Sequence, residues 1–412
     1  MNYFIKNIHI NKLFHLENID IPIADEKYPH LIITGKNGSG KTVLLNALVD
    51  FIEIVKKDFE IDEYEQGVAL HIQEARDADD NFHIDDFFTY IQSLRKNQEF
   101  LYKKVGVSFD NLTIIESFKE KDFIIAFYRA DRSIKMIEPD SPQKPQVNTD
   151  DIRKASSDQF INFLVDLKFQ ELLSLSNNEQ EKVNNIKMWF KNFENLLKEI
   201  FEDDNLTFRF EQEEKNYSFK ISMGGQTFGF NEMSDGFKAV IHIVADLIMK
   251  MQNGGKISDV YQKEGLVLID EIETHLHLKL QKIIMPLLTQ VFPNIQFIVT
   301  THSPFVLSSM PNAVAFDLEH QKPIEDLTDY SYSALAEGYF GVRPESSSVR
   351  MRLDELKDLL SKDCLSSSEQ MSIRLLVEDF DKIPEAVSPS IVGEYLQMRV
   401  KYADKIKPIL AL

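Results

Sequence analysis

The chain opens on alternation. Apolar and polar positions interleave through Phe4–Ile10 (FIKNIHI) and again through Ile19–Ile23 (IDIPI). That period predicts two half-buried strands, with the reversal between them at Leu16–Asn18. A continuous apolar run, His30–Thr34 (HLIIT), predicts a buried strand. After a glycine-rich turn the period changes. Val43, Leu44, Ala47, Leu48, Phe51 and Ile52 recur at helical spacing and predict a helix from Lys41 to about Val55. Strand-like runs return at Asn111–Ser117 and Asp122–Tyr128, and the prolines of Glu138–Thr149 mark a loop.

From Asp150 to Phe201 the apolar spacing is helical again, carried by Phe160, Phe163, Leu164 and Leu167, then by Ile186, Trp189, Phe190, Phe193 and Leu197. Two antiparallel helices fit it. Strands are expected at Leu206–Phe210 and Tyr217–Met223, joined by the charged turn Glu211–Asn216 and closed by Gly224–Gly225. The chain after about Asp326 reads as mostly helical, and no repeat of solenoid period is present. The expected organisation is an α/β head over residues 1–325, with an acidic insertion at 57–90 and a helical arm or lid at 150–203. A helical C-terminal region, residues 326–412, follows.

Composition narrows the class. The formal charge of −20 and pI near 5.0 argue against a protein that merely coats a phosphate backbone. With 43% hydrophobic residues, 30 of them Phe in a chain of 412 residues, the chain can build a core. The single cysteine, Cys364, excludes an internal disulfide framework and a Cys-rich zinc site, and suits a reducing cytosol. No apolar run reaches the roughly 18 residues of a membrane span, since Val240–Ile248 carries His242 and Asp246. The start of the chain has no signal-peptide pattern. A cytoplasmic protein without a membrane partner is expected. Many of the acids fall in Asp58–Asp86, which reads as a solvated insertion, with a docking surface for a basic partner as the alternative.

Four segments carry chemistry. Gly35–Thr42 reads GKNGSGKT and fits G-x-x-x-x-G-K-[ST], with a strand before it and a helix after it. Gly38 and Gly40 let successive N–H groups turn inward, and Asn37 and Ser39 complete the loop. The helix start adds partial positive charge. Lys41 is placed to reach the β- and γ-phosphates of ATP, and the Thr42 hydroxyl to hold Mg²⁺. Gly265–Glu271 (GLVLIDE) is an apolar strand ending in Asp270, a second Mg²⁺ candidate, and in Glu271, placed to polarise an attacking water. Ile295–Ser303 (IQFIVTTHS) puts His302 just past another buried strand, either as a γ-phosphate sensor or as a structural histidine. Asn231–Val240 (NEMSDGFKAV) reads as a helix start. Ser234 can cap it, and Gly236 leaves room for a backbone or a phosphate.

GKNGSGKT, MSDGF, LVLIDE and TTHS occur in the order phosphate loop, signature, Asp-Glu strand, switch histidine. That order resembles ABC-class ATPases of the SMC, RecF and OLD branch. The opening LFHLENIDIPI is similar to the start of that branch, and Asp270–His277 (DEIETHLH) resembles the OLD-type DEPExHLHP run, with Ile272 for proline. The resemblance implies a P-loop NTPase head of the ABC/SMC type with a mixed sheet, ATP and Mg²⁺ as ligands, and two heads pairing around ATP. Ser234 and Gly236 would then meet the γ-phosphate in trans. Asp235 and Phe237 depart from the transporter signature. The family's Q-loop glutamine has no match, and the best positional candidate is the strand end FYRADR, Phe127–Arg132. There Arg129 or Arg132 would meet nucleotide or the partner head, or Asp131 and Arg132 would form a structural pair. Only 192 positions separate Thr42 from Ser234, which leaves room for a short arm and not for a long coiled coil.

Leu375–Asp381 resembles the opening of a nuclease metal module, but too little chain follows to complete one. FYRADR and Tyr330–Gly341 (YSYSALAEGYFG) look similar to the ATPase subunits of Septu and retron-associated anti-phage systems. That similarity implies an ATPase controlling a separately encoded effector, a nuclease. A RecF-like repair ATPase that binds DNA directly and an ATP-binding scaffold with little hydrolysis are the alternatives.

Overall fold

The computed structural model describes residues 5–23, 30–55, 104–109, 118, 121–132, 135–212, 216–252, 261–310, 313–324, 347–383 and 389–411. The acidic stretch Asp58–Asp86, the expected strand Asn111–Ser117 and the phrase Tyr330–Gly341 lie outside them. The chain forms two compact units, Met1–Tyr332 and Ser333–Leu412.

Strands β1 (Ile5–Leu13) and β2 (Leu16–Pro22) form a hairpin in which Leu13 faces Leu16. The reversal falls at Phe14–His15, ahead of the expected position. Leu16 is 1% exposed and stays in the sheet, whereas Phe14 is 78% exposed and takes the left-handed conformation, φ 56°, that a two-residue turn demands. β3 (His30–Thr34) leads through the glycine-rich turn into helix α1, residues 41–55, as the periodicity predicts. β4 (Val105–Phe109), which the pattern did not reveal, pairs with β1. β5 (Phe123–Tyr128) is apolar and buried throughout.

The arm region differs at its start. Residues 150–156 are not helical. The side chains of Asn148 and Asp151 accept hydrogen bonds from nearby backbone N–H groups at 2.9–3.2 Å, which competes with helix formation. Helices α2 (Phe160–Ser176) and α3 (Gln180–Phe201) then form a hairpin packed through Phe160, Phe163, Trp189 and Phe193. A three-stranded antiparallel sheet follows: β6 (Thr207–Gln212), β7 (Tyr217–Met223) and β8 (Gln226–Gly229). Gly224 and Gly225, at φ 54° and 76°, end β7 where expected and turn the chain back into β8, a strand the pattern did not reveal. Helix α4 (Asp235–Gln252) is buried on nearly every side.

The last elements of this unit are β9 (Glu264–Ile269), α5 (Leu278–Val291), β10 (Ile295–Thr300), α6 (Pro304–Leu307), β11 (Ala313–Asp317) and β12 (Lys322–Ile324). The main sheet has the order β12-β11-β3-β10-β9-β5, and every pair except β11–β12 is parallel. Unbroken apolar strands such as GLVLI and IIAF suit a parallel sheet buried on both faces. The order matters for function. β10 lies between β3 and β9, so the C-terminal ends of three adjacent strands share one edge, where ligands bind in open α/β sheets.

The second unit holds α7 (Ser347–Ser361), α8 (Ser367–Phe380), α9 (Pro389–Lys401) and α10 (Ala403–Ala411) around Leu356, Leu360, Ile373, Val377 and Ile391. Among the described residues, no helix is long and apolar enough to cross a membrane.

Candidate functional site

The loop after β3 is built on left-handed glycines. At Gly35 (φ 139°) an added Cβ would meet Ser39 Oγ at 2.8 Å, and at Gly40 (φ 100°) it would meet Leu16 Cδ1 at 2.9 Å. No L side chain fits either place without moving its surroundings. Lys41 is 5% exposed and folds back across the loop, its Nζ donating to the carbonyls of Gly35 at 2.8 Å and Lys36 at 3.1 Å. Burial pushes its pKa down, against the opposing pull of Glu271, Glu273 and Asp270. Ser39 is buried, and its hydroxyl has no hydrogen-bond partner among the described residues. Asn37 and Gly38 are exposed at the loop tip.

Thr42 lies in the first turn of α1, and its Oγ1 donates to Asp270 Oδ1 at 3.2 Å. Asp270 is 4% exposed at the end of β9, and it accepts the Thr300 hydroxyl of β10 at 2.6 Å. Glu271 has φ 44°. Its N–H donates to Thr300 Oγ1 at 2.8 Å, and its carboxylate accepts from Thr274 Oγ1 at 3.3 Å. Glu273, which sequence reasoning gave no role, takes the Thr301 hydroxyl at 2.7 Å and the backbone N–H of His302. Burial pushes the Glu273 carboxyl up, while those two donors pull it back. The His302 imidazole is pushed down by partial burial and by the Lys41 charge, which favours its neutral form.

Lys41, Thr42, Glu271 and His302 face a cavity of about 340 Å³, lined also by Asn37, Gly38 and Gly40, with Asp270 held behind Thr42. The structure thus brings the phosphate loop, the Asp-Glu pair and the switch histidine together. It adds Phe14 and His15 of the β1–β2 turn to the same cavity. Sequence reasoning missed both; the available signal was a bulky aromatic beside a hairpin reversal. A larger cleft of about 840 Å³ between Glu53 and residues 146–159 contains none of the phosphate-loop residues.

Ser234 and Gly236 do not line the cavity. Ser234 is exposed just before α4, and Gly236 is buried. Its missing side chain faces backbone and not open space: a Cβ there would lie 2.7 Å from the His275 carbonyl. Phe237, next along, stacks on Phe201 at 4.1 Å and meets His277 edge-on at 5.8 Å. Arg129 is exposed. Arg132 is 3% exposed and points inward, its Nη2 donating to the Glu271 carbonyl at 2.5 Å, while Asp131 is exposed.

Fold and site together define a P-loop nucleotide-binding head, with one strand inserted between the phosphate-loop strand and the Asp-Glu strand. The chain belongs to the family described as "AAA domain, putative AbiEii toxin, Type IV TA system", whose model matches residues 31–308. It is 31% identical over 221 residues to the Septu protein PtuA of Bacillus mycoides, covering 51% of this chain and 29% of that protein. It is 22% identical to the Retron Vc95 probable ATPase of Vibrio cholerae over 80% of this chain and 77% of that one. With the Retron Ec83 probable ATPase of Escherichia coli it shares 32% over 34% of this chain and 27% of that one. The chain therefore spans under a third of the length of two of these three relatives. Among solved structures, an SMC head bound to the C-terminal winged-helix domain of ScpA overlaps 78% of this chain and 96% of its own at 13% identity, with a TM-score of 0.40. The strand order, and not this overlap, fixes the fold class.

Proposed function

We propose that the chain binds ATP with Mg²⁺ in the cavity beside β3, β9 and β10 and hydrolyses it. Two such heads would pair around the nucleotide and control a separately encoded effector, a nuclease, in bacterial anti-phage defence. The observation that carries the ATP site is the meeting of Lys41, Thr42, Asp270, Glu271 and His302 at one sheet edge.

The residues fit the ligands. Thr42 Oγ1 and Asp270 Oδ1, 3.2 Å apart, form the hard oxygen pair that Mg²⁺ prefers. Mg²⁺ held by Thr42 and Asp270 would supply positive charge that neutralises the phosphates there. The loop N–H groups and the start of α1 bind and orient the phosphates. Lys41 leaves its two carbonyl partners to reach the β- and γ-phosphates. The Glu271 carboxylate accepts a proton from the attacking water, while the His302 ring donates an N–H to a γ-phosphate oxygen. Ser234, exposed ahead of an 18-residue helix, is available to a second head. The similarity to the Septu and retron ATPases supports the effector reading.

The test compares ATP turnover and nucleotide binding for the wild type, Lys41→Ala and Glu271→Gln. Lys41→Ala should lose binding. Glu271→Gln should bind ATP, turn over at least a hundredfold slower and accumulate as a dimer by light scattering. Equal turnover in all three discards the site. A nuclease encoded beside this gene should co-purify with the chain, and its DNA cleavage should change when ATP is added; no change discards effector control.

A further inference from the structure

The buried Arg132 is used by none of the steps above. It lies four residues past β5, the strand beside β9, and is 3% exposed. Its Nη2 donates to the carbonyl of Glu271, while Nε and Nη1 have no hydrogen-bond partner among the described residues. Burial lowers its pKa to about 10, so it stays charged at neutral pH. The peptide it holds is unusual. Glu271 is a non-glycine residue at φ 44°, a conformation that L residues adopt only when their surroundings impose it. Three hydrogen bonds hold it here. Thr300 Oγ1 accepts the Glu271 N–H on one side, and on the other the carbonyl accepts both the Thr274 N–H of the local turn, at 2.9 Å, and the Arg132 guanidinium, the one side chain among its donors. If the backbone relaxed to φ below zero, Cα–Cβ would swing and the carboxylate would move relative to Lys41 and His302 across the cavity.

We propose that Arg132 is a positioning residue for hydrolysis: through the Glu271 carbonyl it holds the Glu271 backbone in the left-handed conformation that aims its carboxylate into the ATP cavity. The proposal rests on the reading of Glu271 as the group that takes the water proton. It also assigns FYRADR a role within its own head. The arginine bonds the Glu271 carbonyl directly, and neither nucleotide nor a partner head is required. A guanidinium suits the task because one nitrogen serves the carbonyl while the charge stays near Asp270, Glu271 and Glu273, whose fields favour it.

The test uses the full chain and measures kcat, KM and nucleotide affinity by fluorescent-ATP titration. Arg132→Ala should lower kcat about thirtyfold or more and leave nucleotide affinity within about threefold. Millimolar methylguanidine should restore part of that kcat, since the lost side chain leaves room for it. Arg132/Glu271 double replacement by Ala and Gln should be no slower than Glu271→Gln alone, because both changes remove one function. Arg132→Lys, which keeps the buried charge, should retain affinity and lose at least fivefold in kcat, and it covers the case in which Arg132→Ala does not fold. Wild-type turnover in either single variant overturns the proposal. So does a matched loss of affinity and kcat without rescue by methylguanidine. If Glu271→Gln itself turns over normally, the parent reading of the site fails, whatever Arg132 does.

Discussion

The Thr300 hydroxyl donates to Asp270 Oδ1 at 2.6 Å and accepts the N–H of Glu271 at 2.8 Å. One fully buried side chain on the central strand therefore fixes both acidic residues of the neighbouring strand. Replacing Thr300 with the near-isosteric Val keeps the volume and deletes both bonds. The Glu271 N–H is then left without its partner, at a cost of about 1–3 kcal/mol. The expected result for Thr300→Val is a lower unfolding midpoint together with at least a tenfold drop in ATP turnover. Urea unfolding and a phosphate-release assay check the two parts separately.

Gly236 gives a prediction whose sign is diagnostic. In an ordinary helix, Gly→Ala stabilises by up to about 1 kcal/mol. Here the new methyl would sit 2.7 Å from the His275 carbonyl, which is backbone and cannot rotate aside. Gly236→Ala should therefore destabilise by about 1–3 kcal/mol, as overpacking does. A thermal melt at or above the wild-type midpoint would contradict the packing.

The phosphate loop, the Asp-Glu strand and the switch histidine were legible because each motif sits at a strand end, and strand ends are marked by sharp changes from apolar to polar residues. The helix at residues 41–55 was legible from its periodicity. β11 and β12 were not, since AVAFD and KPI are too short to carry a period. The loop at residues 150–156 was missed because local side-chain bonds from Asn148 and Asp151 outweigh a composition that reads as helical. The packing of Gly236 on His275 and of Arg132 under Glu271 joins segments far apart in the chain. No local pattern encodes such contacts, and no motif marked Glu273 as the anchor of His302.

A half-buried histidine and a buried one set an acid limit on stability. His30 Nδ1 accepts the Phe297 N–H at 3.1 Å, and His242 Nδ1 pairs with the Ser157 hydroxyl at 2.5 Å. Burial lowers each pKa from 6.5 to about 4. The folded state thus binds fewer protons than the unfolded chain between these values, so stability rises with pH across that window. It is fully present above pH 6.5 and is lost progressively down to about pH 4. Each histidine contributes up to about 3 kcal/mol across the window. Urea midpoints measured from pH 7.5 to 4.5 should fall, and His242→Gln should make that fall shallower across the window.

Phe14 presents the last case. It is 78% exposed at the β1–β2 turn, yet it lines the cavity together with Lys41 and His302. An exposed phenyl contributes little to folding, so Phe14→Ala should leave the unfolding midpoint within about 1 °C, in line with surface substitutions generally. If the nucleotide base lies against this turn, losing the ring costs a stacking contact of about 1 kcal/mol or more, which means weaker ATP affinity by about fivefold or more. The carboxylates and Lys41 are untouched, so kcat at saturating ATP should be preserved. A KM that rises alone, with kcat and stability unchanged, is the expected signature; unchanged KM would place the base elsewhere. Comparing ATP with inorganic triphosphate sharpens the test, because the Phe14→Ala penalty should appear only for the ligand that carries a base.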